Sequence, residues 1–229
     1  MKKLFESSVY RYVFMILGIT LSYTGSAFCA FADVGQGPVG AFQYALSMLT
    51  AIKMGTIAFL FQSLFVLAQF LIEKKDFRLY QLLQLAVSFY GAVVLNFVLY
   101  DVLERYIESV PYLCRLLLLI AGFALNAFGV SLTLESGTLR VPLEGFLKLL
   151  SERSRFTLGQ YKQLSDLCLL ALAVLISIIG HNGITVREGT ILNAVCFGWL
   201  LDLFHRPVSR FFARPEAHSS TDPLKAASK

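Results

Sequence analysis

Six long apolar segments, separated by short polar connections, dominate the pattern of hydrophobic and polar positions along this chain. Each segment holds about 20 residues with few charges, which is the length that an α-helix needs to cross a bilayer. The predicted spans cover residues 10–32, 54–72, 79–100, 112–134, 164–180 and 189–204. These runs are far longer than the alternating strands of about 10 residues that are typical of membrane barrels. The pattern therefore predicts an all-α, polytopic membrane protein with six transmembrane helices.

A spacing of 104 residues relates the two halves of the chain, because many positions coincide without a gap when the sequence is shifted by that amount. The clearest matches are Gly18 with Gly122, Gly25 with Gly129, Pro38 with Pro142, Phe42 with Phe146 and Gly55 with Gly159. Each copy holds three spans, and an odd number of crossings turns the second copy upside down relative to the first. Such inverted repeats are typical of transporters. We expect repeat 1 over residues 10–100 and repeat 2 over residues 112–205.

A short helix is predicted between the first and second spans of each repeat. Pro38 and Pro142 open these segments, and proline suits the first turn of a helix because no N–H is needed there. With 11 to 14 residues, each helix is too short to cross a bilayer. Each one either dips into the membrane as a re-entrant helix or lies along its surface. Because the repeats are inverted, the two helices approach from opposite sides, so Pro38 and Pro142 would mark a pair of gates.

Composition agrees with a membrane protein and argues against a nucleic-acid partner. Hydrophobic residues make up 56% of the 229 residues, and the mean hydropathy is +0.66, which is more apolar than a soluble domain of this length. The net charge of +5 comes from basic residues that are scattered along the chain. They form no basic run and no aromatic platform of the kind that nucleic acid requires.

The basic residues predict the orientation in the membrane, because Lys and Arg are retained on the cytoplasmic side during insertion. With the N-terminus inside, sixteen of the twenty basic residues fall in inner segments. The outer segments keep Lys53, Arg105, Arg115 and Arg187. We therefore expect a cytoplasmic N-terminus (1–9), a single transmembrane domain (10–205) and a cytoplasmic tail (206–229). The tail is polar and without periodicity, which is typical of disorder.

The start of the last span carries a resemblance to a known family. The string Val186-Arg187-Glu188-Gly189-Thr190-Ile191, followed by Gly198 and Asp202, resembles the C-terminal signature of the YczE/YitT-like bacterial membrane proteins. The proline-led short helices resemble that family's repeated element, so the resemblance covers about residues 10–205. It implies a small multi-pass protein of the bacterial inner membrane whose biochemical activity is largely undefined.

Polar side chains inside the spans are the candidates for a substrate site, because such groups are costly in a bilayer and usually line a cavity or pair with a partner. The 104-residue shift relates Ser22 to Asn126 and Gln62 to Asp166. These four residues are the predicted substrate-binding residues. The alternatives are an ion pair between Asp166 and Lys162, and simple helix packing around Ser22 and Asn126, which glycines flank.

Arg187 and Glu188 stand at the outer end of the last predicted span. One interpretation makes them a gate or coupling pair at the mouth of a cavity. The other makes Glu188 a first-turn carboxylate that the helix dipole favours, with Arg187 paired to an acidic neighbour. No spacing of histidines or cysteines predicts a metal site, no phosphate loop is present, and no nucleophile is paired with a base. We therefore expect no metal, no cofactor and no enzyme activity.

These patterns lead to two functional hypotheses. The first is a small-solute or ion transporter with its site near the pseudo-two-fold axis, and its substrate is unknown. The second is a non-transporting binding subunit of a larger membrane complex, which would dock through small residues such as Gly18, Ser22, Gly25 and Cys29. The expected partners are the lipid bilayer, the substrate and, under the second hypothesis, a membrane protein or a second copy of the chain.

Overall fold

The computed structural model describes residues 8–74, 77–139, 141–181 and 185–212, and these residues form helices joined by short connections. The α-helices are α1 (Ser8–Ala32), α2 (Pro38–Thr50), α3 (Met54–Glu73), α4 (Leu83–Asn96), α5 (Tyr112–Ser136), α6 (Pro142–Glu152), α7 (Leu158–Gly180) and α8 (Glu188–Phe212). A 3₁₀ turn (Leu79–Leu82) leads into α4, and a π-helical segment (Phe97–Leu103) and a second 3₁₀ segment (Glu104–Ser109) follow it. No strand occurs in the described ranges. The all-α prediction is confirmed.

Five helical segments of the described chain are long and apolar enough to cross a membrane. They are Val9–Ala32, Met54–Glu73, Leu79–Tyr106, Tyr112–Ser136 and Leu158–Gly180. The chain is therefore a multi-pass membrane protein. The sixth predicted span corresponds to α8, which is not among the five and carries the charged residues Glu188, Asp202, Arg206 and Arg210.

Two helix ends differ from the prediction for local reasons. α7 begins at Leu158, before the predicted start at 164, because Thr157 caps it: Gln160 N–H donates to Thr157 Oγ1 at 3.3 Å. α8 continues to Phe212, whose ring packs edge-on against Phe14 at 5.0 Å between centroids. Residues 206–212 are therefore helical and do not belong to an irregular tail. The predictions for residues 1–7 and 213–229 concern parts of the chain outside the described residues.

The centre of the fold is an antiparallel crossing of α1 and α5. Gly18 lies against Gly129, and Gly25 lies against Gly122, so residue numbers rise along α1 while they fall along α5. Glycine at these positions lets the two backbones touch, which is a common way of packing membrane helices. The α1–α2 turn (33–37) and the α5–α6 turn (described residues 137–139 and 141) therefore lie at opposite ends of the crossing. We name these ends the α2 side and the α6 side.

The remaining helices surround this crossing. α4 packs on α1 and α3, α8 packs on α5, α2 packs on α7, and α6 packs on α3. In contrast, α7 and α8 make no extended contact within the described chain. Each short helix is therefore held mainly by a long helix of the other half of the chain.

The short helix α6 runs beside the second half of α3. Its second residue, Leu143, donates its N–H to Gln62 Oε1 at 3.1 Å, and Gln69 Nε2 donates to Pro142 O at 2.9 Å. Beyond its end, Arg153 Nη1 donates to Ile72 O at 3.1 Å. α6 thus begins level with the middle of α3 and ends level with its last turn.

An aromatic row connects the two short helices through α3. The ring centroids of Phe42 and Phe61 are 5.2 Å apart, those of Phe61 and Phe65 4.9 Å, and those of Phe65 and Phe146 5.2 Å. Such distances are typical of favourable aromatic pairs. Phe42 and Phe146 are related by the 104-residue spacing, so the row ends at the same position of each short helix.

Candidate functional site

Ser22 and Asn126 meet at the middle of the α1–α5 crossing. Asn126 Nδ2 donates to Ser26 Oγ at 2.9 Å and to Ser22 O at 3.3 Å, and Ser22 Oγ donates to Asn126 Oδ1 at 3.4 Å. The structure thus brings together one of the two predicted pairs. These hydrogen bonds also use the polar groups of both side chains, as packing between membrane helices requires.

Gln62 and Asp166 have partners elsewhere. Gln62 is 6% exposed and accepts the Leu143 N–H at the start of α6, which would otherwise be one of the unpaired donors of a helix terminus. Asp166 Oδ1 lies 3.0 Å from Lys162 Nζ, one turn away on α7. The ion pair that the sequence suggested as an alternative is therefore present, and among the described residues no hydrogen bond or ion pair joins Asp166 to the other three residues.

A first cavity opens from the crossing toward the α6 side, and we call it the crossing cavity. Its volume is about 540 Å³. Ser22 and Tyr23 line its deep end, and Glu144 and Lys162 line the end beside α6 and α7. Its walls are largely apolar, with Ile19, Val130, Leu134, Leu147 and Leu158 among them. A polar group at the end of an apolar chamber is the usual composition of a small-molecule site.

A second cavity lies between α3, α4, α6 and the α5–α6 turn, and we call it the polar cavity. Its volume is about 570 Å³. Its polar lining residues are Gln69, Glu73, Arg78, Tyr80, Gln81, Gln84, Thr138, Lys148 and Glu152. Thr138 and Leu139 line both cavities, so the α5–α6 turn forms the wall between them.

Sequence reasoning missed the polar cavity, although part of its signal was visible. Gln69 and Glu73 follow Gln62 by seven and eleven residues, a spacing that places the three side chains on one face of α3. A polar stripe on an otherwise apolar span is the kind of feature that marks a lined cavity. The contributions of α4 and of the α5–α6 turn could not be found in this way, because they join the stripe only in the folded chain.

On the α2 side, the equivalent turn is closed against the start of α8. Gly189 N–H donates to Val34 O at 2.8 Å, and Arg187 Nη1 donates to Asp33 O at 2.6 Å. Arg187 also lies 3.7 Å from a carboxylate oxygen of Asp33 and 3.7 Å from one of Glu188. Gly35 has a φ of +117°, and a Cβ there would lie 2.8 Å from Thr190 N, so the turn approaches α8 at backbone distance. Arg187 therefore fastens the turn to the helix.

Glu188 is the first residue of α8, so it is a first-turn carboxylate, as the second interpretation expects. Its own backbone N–H lowers the pKa of its carboxyl group, against a smaller effect of desolvation, and the Tyr112 hydroxyl and Arg187 lower it further. Tyr112 OH donates to Glu188 Oε1 at 3.2 Å. Glu188 is thus ionised at neutral pH, as expected for a carboxylate in the first turn of a helix.

The two sides of the molecule differ at equivalent positions. The 104-residue shift relates the α1–α2 turn (33–37) to the α5–α6 turn (137–141), and the start of α8 to the start of α4. On the α2 side, the turn is in hydrogen-bond contact with the start of α8. On the α6 side, Thr138 and Leu139 of the equivalent turn face Gln81 and Gln84, at the start of α4, across the polar cavity. One side is closed where the other is open.

Comparison with known proteins identifies the family but no activity. The description "Family of unknown function (DUF6198)" matches residues 9–206, which include the crossing and the residues that line both cavities. The chain belongs to DUF6198. No curated protein and no solved structure matches it. For this DUF6198 chain, the resemblance to YczE/YitT-like proteins stays a prediction. In the described part of the chain, no three His, Cys, Asp or Glu residues converge as metal ligands would.

The hydrogen bonds at the crossing provide a direct test of how Asn126 acts. We expect Asn126→Leu to destabilise the protein by about 1 kcal/mol, which is typical of polar contacts between membrane helices, because Ser22 and Ser26 lose their side-chain partner. Thermal unfolding in detergent measures the effect. Ser26→Ala removes only one of these bonds and should have a smaller effect. An Asn126→Leu protein that unfolds at the wild-type temperature would contradict this role.

Proposed function

We propose that this protein is a small-solute or ion transporter of the bacterial inner membrane, built from two inverted three-span repeats. The contacts of the crossing support the repeat. Under the 104-residue shift, the contact of Gly18 with Gly129 becomes that of Gly122 with Gly25, so each is the symmetry mate of the other. The Ser22–Asn126 contact maps onto itself, which is expected of a contact on a two-fold axis.

The surrounding helices support the same symmetry. The contact of α2 with α7 corresponds to that of α6 with α3, and the contact of α4 with α1 corresponds to that of α8 with α5. The same correspondence holds for single residues. Ala41 of α2 packs against Ala173 of α7, and the residues at the equivalent positions, Gly145 of α6 and Gln69 of α3, also approach each other. The repeat in sequence thus has a counterpart in contacts that join distant parts of the chain.

In this proposal α8 is the sixth span. α8 occupies the place on α5 that the long apolar α4 occupies on α1. Ile191, Val195 and Trp199 follow one another at one-turn intervals and are 69%, 73% and 66% exposed, which suits a face in contact with lipid. The polar second half would then reach the inner interface, where Arg206 and Arg210 are favourable.

The α6 side is assigned to the cytoplasm. Its described basic residues are Arg11, Lys74, Arg78, Lys148, Arg153, Arg155, Lys162, Arg206 and Arg210, whereas Lys53, Arg105, Arg115 and Arg187 lie on the α2 side. This distribution follows the positive-inside rule and supports a cytoplasmic location for both chain termini. α6 is assigned as re-entrant, because it starts at the level of Gln62 in the middle of α3 and runs back to the level of Ile72.

The observation that carries the transporter proposal is the difference between equivalent positions on the two sides. The α1–α2 turn is fastened to α8 by Arg187, while the α5–α6 turn stands away from α4 across a cavity of about 570 Å³. A protein with two-fold related halves has this asymmetry when one gate is closed and the other is open. Exchanging the two arrangements would alternate access to a site near Ser22 and Asn126. The structure then corresponds to an inward-facing state, and Pro38 and Pro142 mark the two gates.

A disulfide across the closed gate tests this assignment. A Cβ at Gly37 would lie 3.3 Å from Asn193 Cγ, so cysteines at both positions are within reach of each other. The background is a variant in which Cys29, Cys114, Cys168 and Cys196 are alanine. Proteoliposomes are loaded with a pool of small metabolites and inorganic ions, and efflux is followed by mass spectrometry. We expect efflux of at least one solute from the reduced Gly37→Cys/Asn193→Cys protein, and at least a tenfold slower efflux after oxidation.

The single Gly37→Cys variant under the same oxidant is the matched control and should keep its rate. Efflux at an unchanged rate from fully cross-linked protein would contradict alternating access at this gate. If no solute leaves reduced or wild-type proteoliposomes faster than protein-free liposomes, the transporter proposal fails.

The binding-subunit hypothesis has no structural observation in its favour. The small residues that would dock a partner are occupied within the chain. Gly18 faces Gly129 and Thr133, Gly25 faces Gly122 and Asn126, and Cys29 contacts Gly122. This surface is therefore used by α5 and is not open to a second protein.

A further inference from the structure

Two buried oxygen atoms, on residues that line the polar cavity, have no hydrogen-bond donor within the described chain. They are Gln84 Oε1 and Glu73 Oε2, and both residues line the cavity. Gln84 is only 5% exposed. Buried acceptors are nearly always paired in folded proteins, and a carboxylate without a partner is the costlier case. Among the described residues, neither atom therefore has the donor that it requires.

The other groups of the cavity do not supply it. Gln69 already donates to Pro142 O, and Gln81 accepts the Arg78 N–H at 3.0 Å. Lys148 pairs with Glu152 at 3.3 Å, and 41% of its side chain is exposed at the rim. Arg78 is exposed and has no carboxylate of the described chain within ion-pair distance. The buried end of the cavity thus offers acceptors, while the basic groups stay near its mouth.

The chemistry of these acceptors specifies the ligand class. A carboxylate and an amide oxygen both accept hydrogen bonds, and the carboxylate adds a negative charge. A primary ammonium group carries three N–H donors and a positive charge, so it offers charge-assisted hydrogen bonds to acceptors of both kinds. An anion would leave both oxygens unpaired, and a quaternary ammonium group would supply charge without donors.

We propose that the polar cavity binds a small organic cation with N–H donors, such as a primary amine, through Glu73 and Gln84. This site would belong to the transporter proposed above, and its role in transport rests on that proposed function. In the inward-facing state the amine would reach Glu73 from the cytoplasm. Because the α5–α6 turn separates this cavity from the crossing cavity, movement of the turn is the step that would join the two.

Gly145 lets α6 approach the polar stripe of α3 closely. A Cβ at Gly145 would lie 3.3 Å from Gln69 Oε1 and 3.4 Å from its Nε2, so the wall of α6 is already in contact with the α3 stripe. The space for a ligand is therefore on the α4 side of the stripe, where Gln84 and Glu73 are found. The volume of about 570 Å³ is within the range of small-molecule sites.

The test measures binding to the full-length protein in detergent. Methylammonium chloride is the probe, and tetramethylammonium chloride and sodium chloride at the same ionic strength are the reference salts. We expect methylammonium to raise the unfolding temperature in a concentration-dependent way, because it binds the folded state only. Tetramethylammonium and sodium should produce no shift. An equal shift with all three salts would show a general salt effect and overturn the proposal.

Two variants locate the site. Glu73→Gln keeps the shape but removes the charge, and Gln84→Met removes the second acceptor. Each should weaken methylammonium binding by about tenfold or more, as expected for hydrogen bonds to charged groups. Both variants should unfold without ligand at or above the wild-type temperature, because Glu73→Gln removes a negative charge that has no partner and Gln84→Met removes an unpaired buried oxygen. Glu152→Gln is the matched control, since Glu152 pairs with Lys148 at the rim, and it should bind as wild type does.

Failure of this proposal and failure of the proposed function have different signatures. Methylammonium binding that depends on Glu73, in a protein that moves no solute in proteoliposomes, supports the site and contradicts the transporter. Efflux of a neutral or anionic solute from a protein that does not bind methylammonium supports the transporter and overturns the site. Unchanged binding in both Glu73→Gln and Gln84→Met also overturns it.

Discussion

Replacing Gly25 by valine should separate α1 from α5 and so remove the centre of the fold. A Cβ at Gly25 would lie 2.5 Å from Gly122 O and 2.6 Å from Asn126 N, and both are backbone atoms that cannot turn aside. Overpacked cores lose about 1–3 kcal/mol, and we expect at least the upper end of that range because backbone must move. The folded fraction in detergent, measured by size-exclusion chromatography, and the unfolding temperature should both fall.

Gly198→Val is the matched control for this substitution. Gly198 lies in the middle of α8, and a Cβ there would meet nothing within 4 Å. This variant should unfold near the wild-type temperature. Equal stability of Gly25→Val and Gly198→Val would contradict the close crossing of α1 and α5.

Gly55→Val should be the second most damaging substitution, and its counterpart Gly159→Val should have little effect. The two glycines coincide in the 104-residue repeat. A Cβ at Gly55 would collide with Ala92 O and would lie 2.7 Å from Asn96 Oδ1, which already accepts the Gly55 N–H at 2.8 Å. At Gly159 the nearest atom would be Thr157 Oγ1 at 3.9 Å. We expect a loss of about 2 kcal/mol or more in the first variant, since α4 must leave α3.

The measured quantity is the difference in stability between Gly55→Val and Gly159→Val. Both variants introduce the same side chain near the start of a membrane helix, so differences in helix propensity cancel. Thermal unfolding in one detergent gives the two shifts side by side. If Gly159→Val loses as much stability as Gly55→Val, then α8 packs on α7 as α4 packs on α3, and the described asymmetry between the halves is wrong.

This asymmetry links stability to the proposed mechanism. α4 is held by α3 and by α1, whereas α8 is held by α5 and makes no extended contact with α7. On the α2 side, Arg187 compensates by binding the α1–α2 turn to the start of α8. A few hydrogen bonds and exposed ion pairs contribute little each, which suits a gate that must open. The crossing of α1 and α5 is the rigid part about which such a change would occur.

Much of the helical architecture could be predicted, because crossing a bilayer imposes a length and an apolar composition that are visible residue by residue. Pro38 and Pro142 mark the first residues of α2 and α6, as expected from the missing N–H of proline. Spacing alone related Ser22 to Asn126, and the two are in contact. The Lys162–Asp166 ion pair was also visible, since residues one helical turn apart are neighbours.

The candidate site was less predictable, because its parts come from separate elements. Gln62 was expected to face a substrate, but its oxygen pairs with the N–H of Leu143, 81 residues away. Gln84 showed no special feature in the sequence, and its importance comes from an oxygen that is buried and has no donor. Such a property depends on every neighbour at once and is not encoded in any local pattern.

The chain alone therefore specifies where helices begin, how long they are, which of them suit a bilayer and which positions repeat. These are local consequences of hydropathy, proline geometry and spacing. Tertiary structure decides which side of the molecule is closed and which is open, since equal sequence positions such as Gly55 and Gly159 have different surroundings. It also decides which polar groups find partners and which, like the buried oxygens of Glu73 and Gln84 beside a cavity, have no donor among the described residues. The reason is that burial and hydrogen bonding are properties of contacts between distant segments.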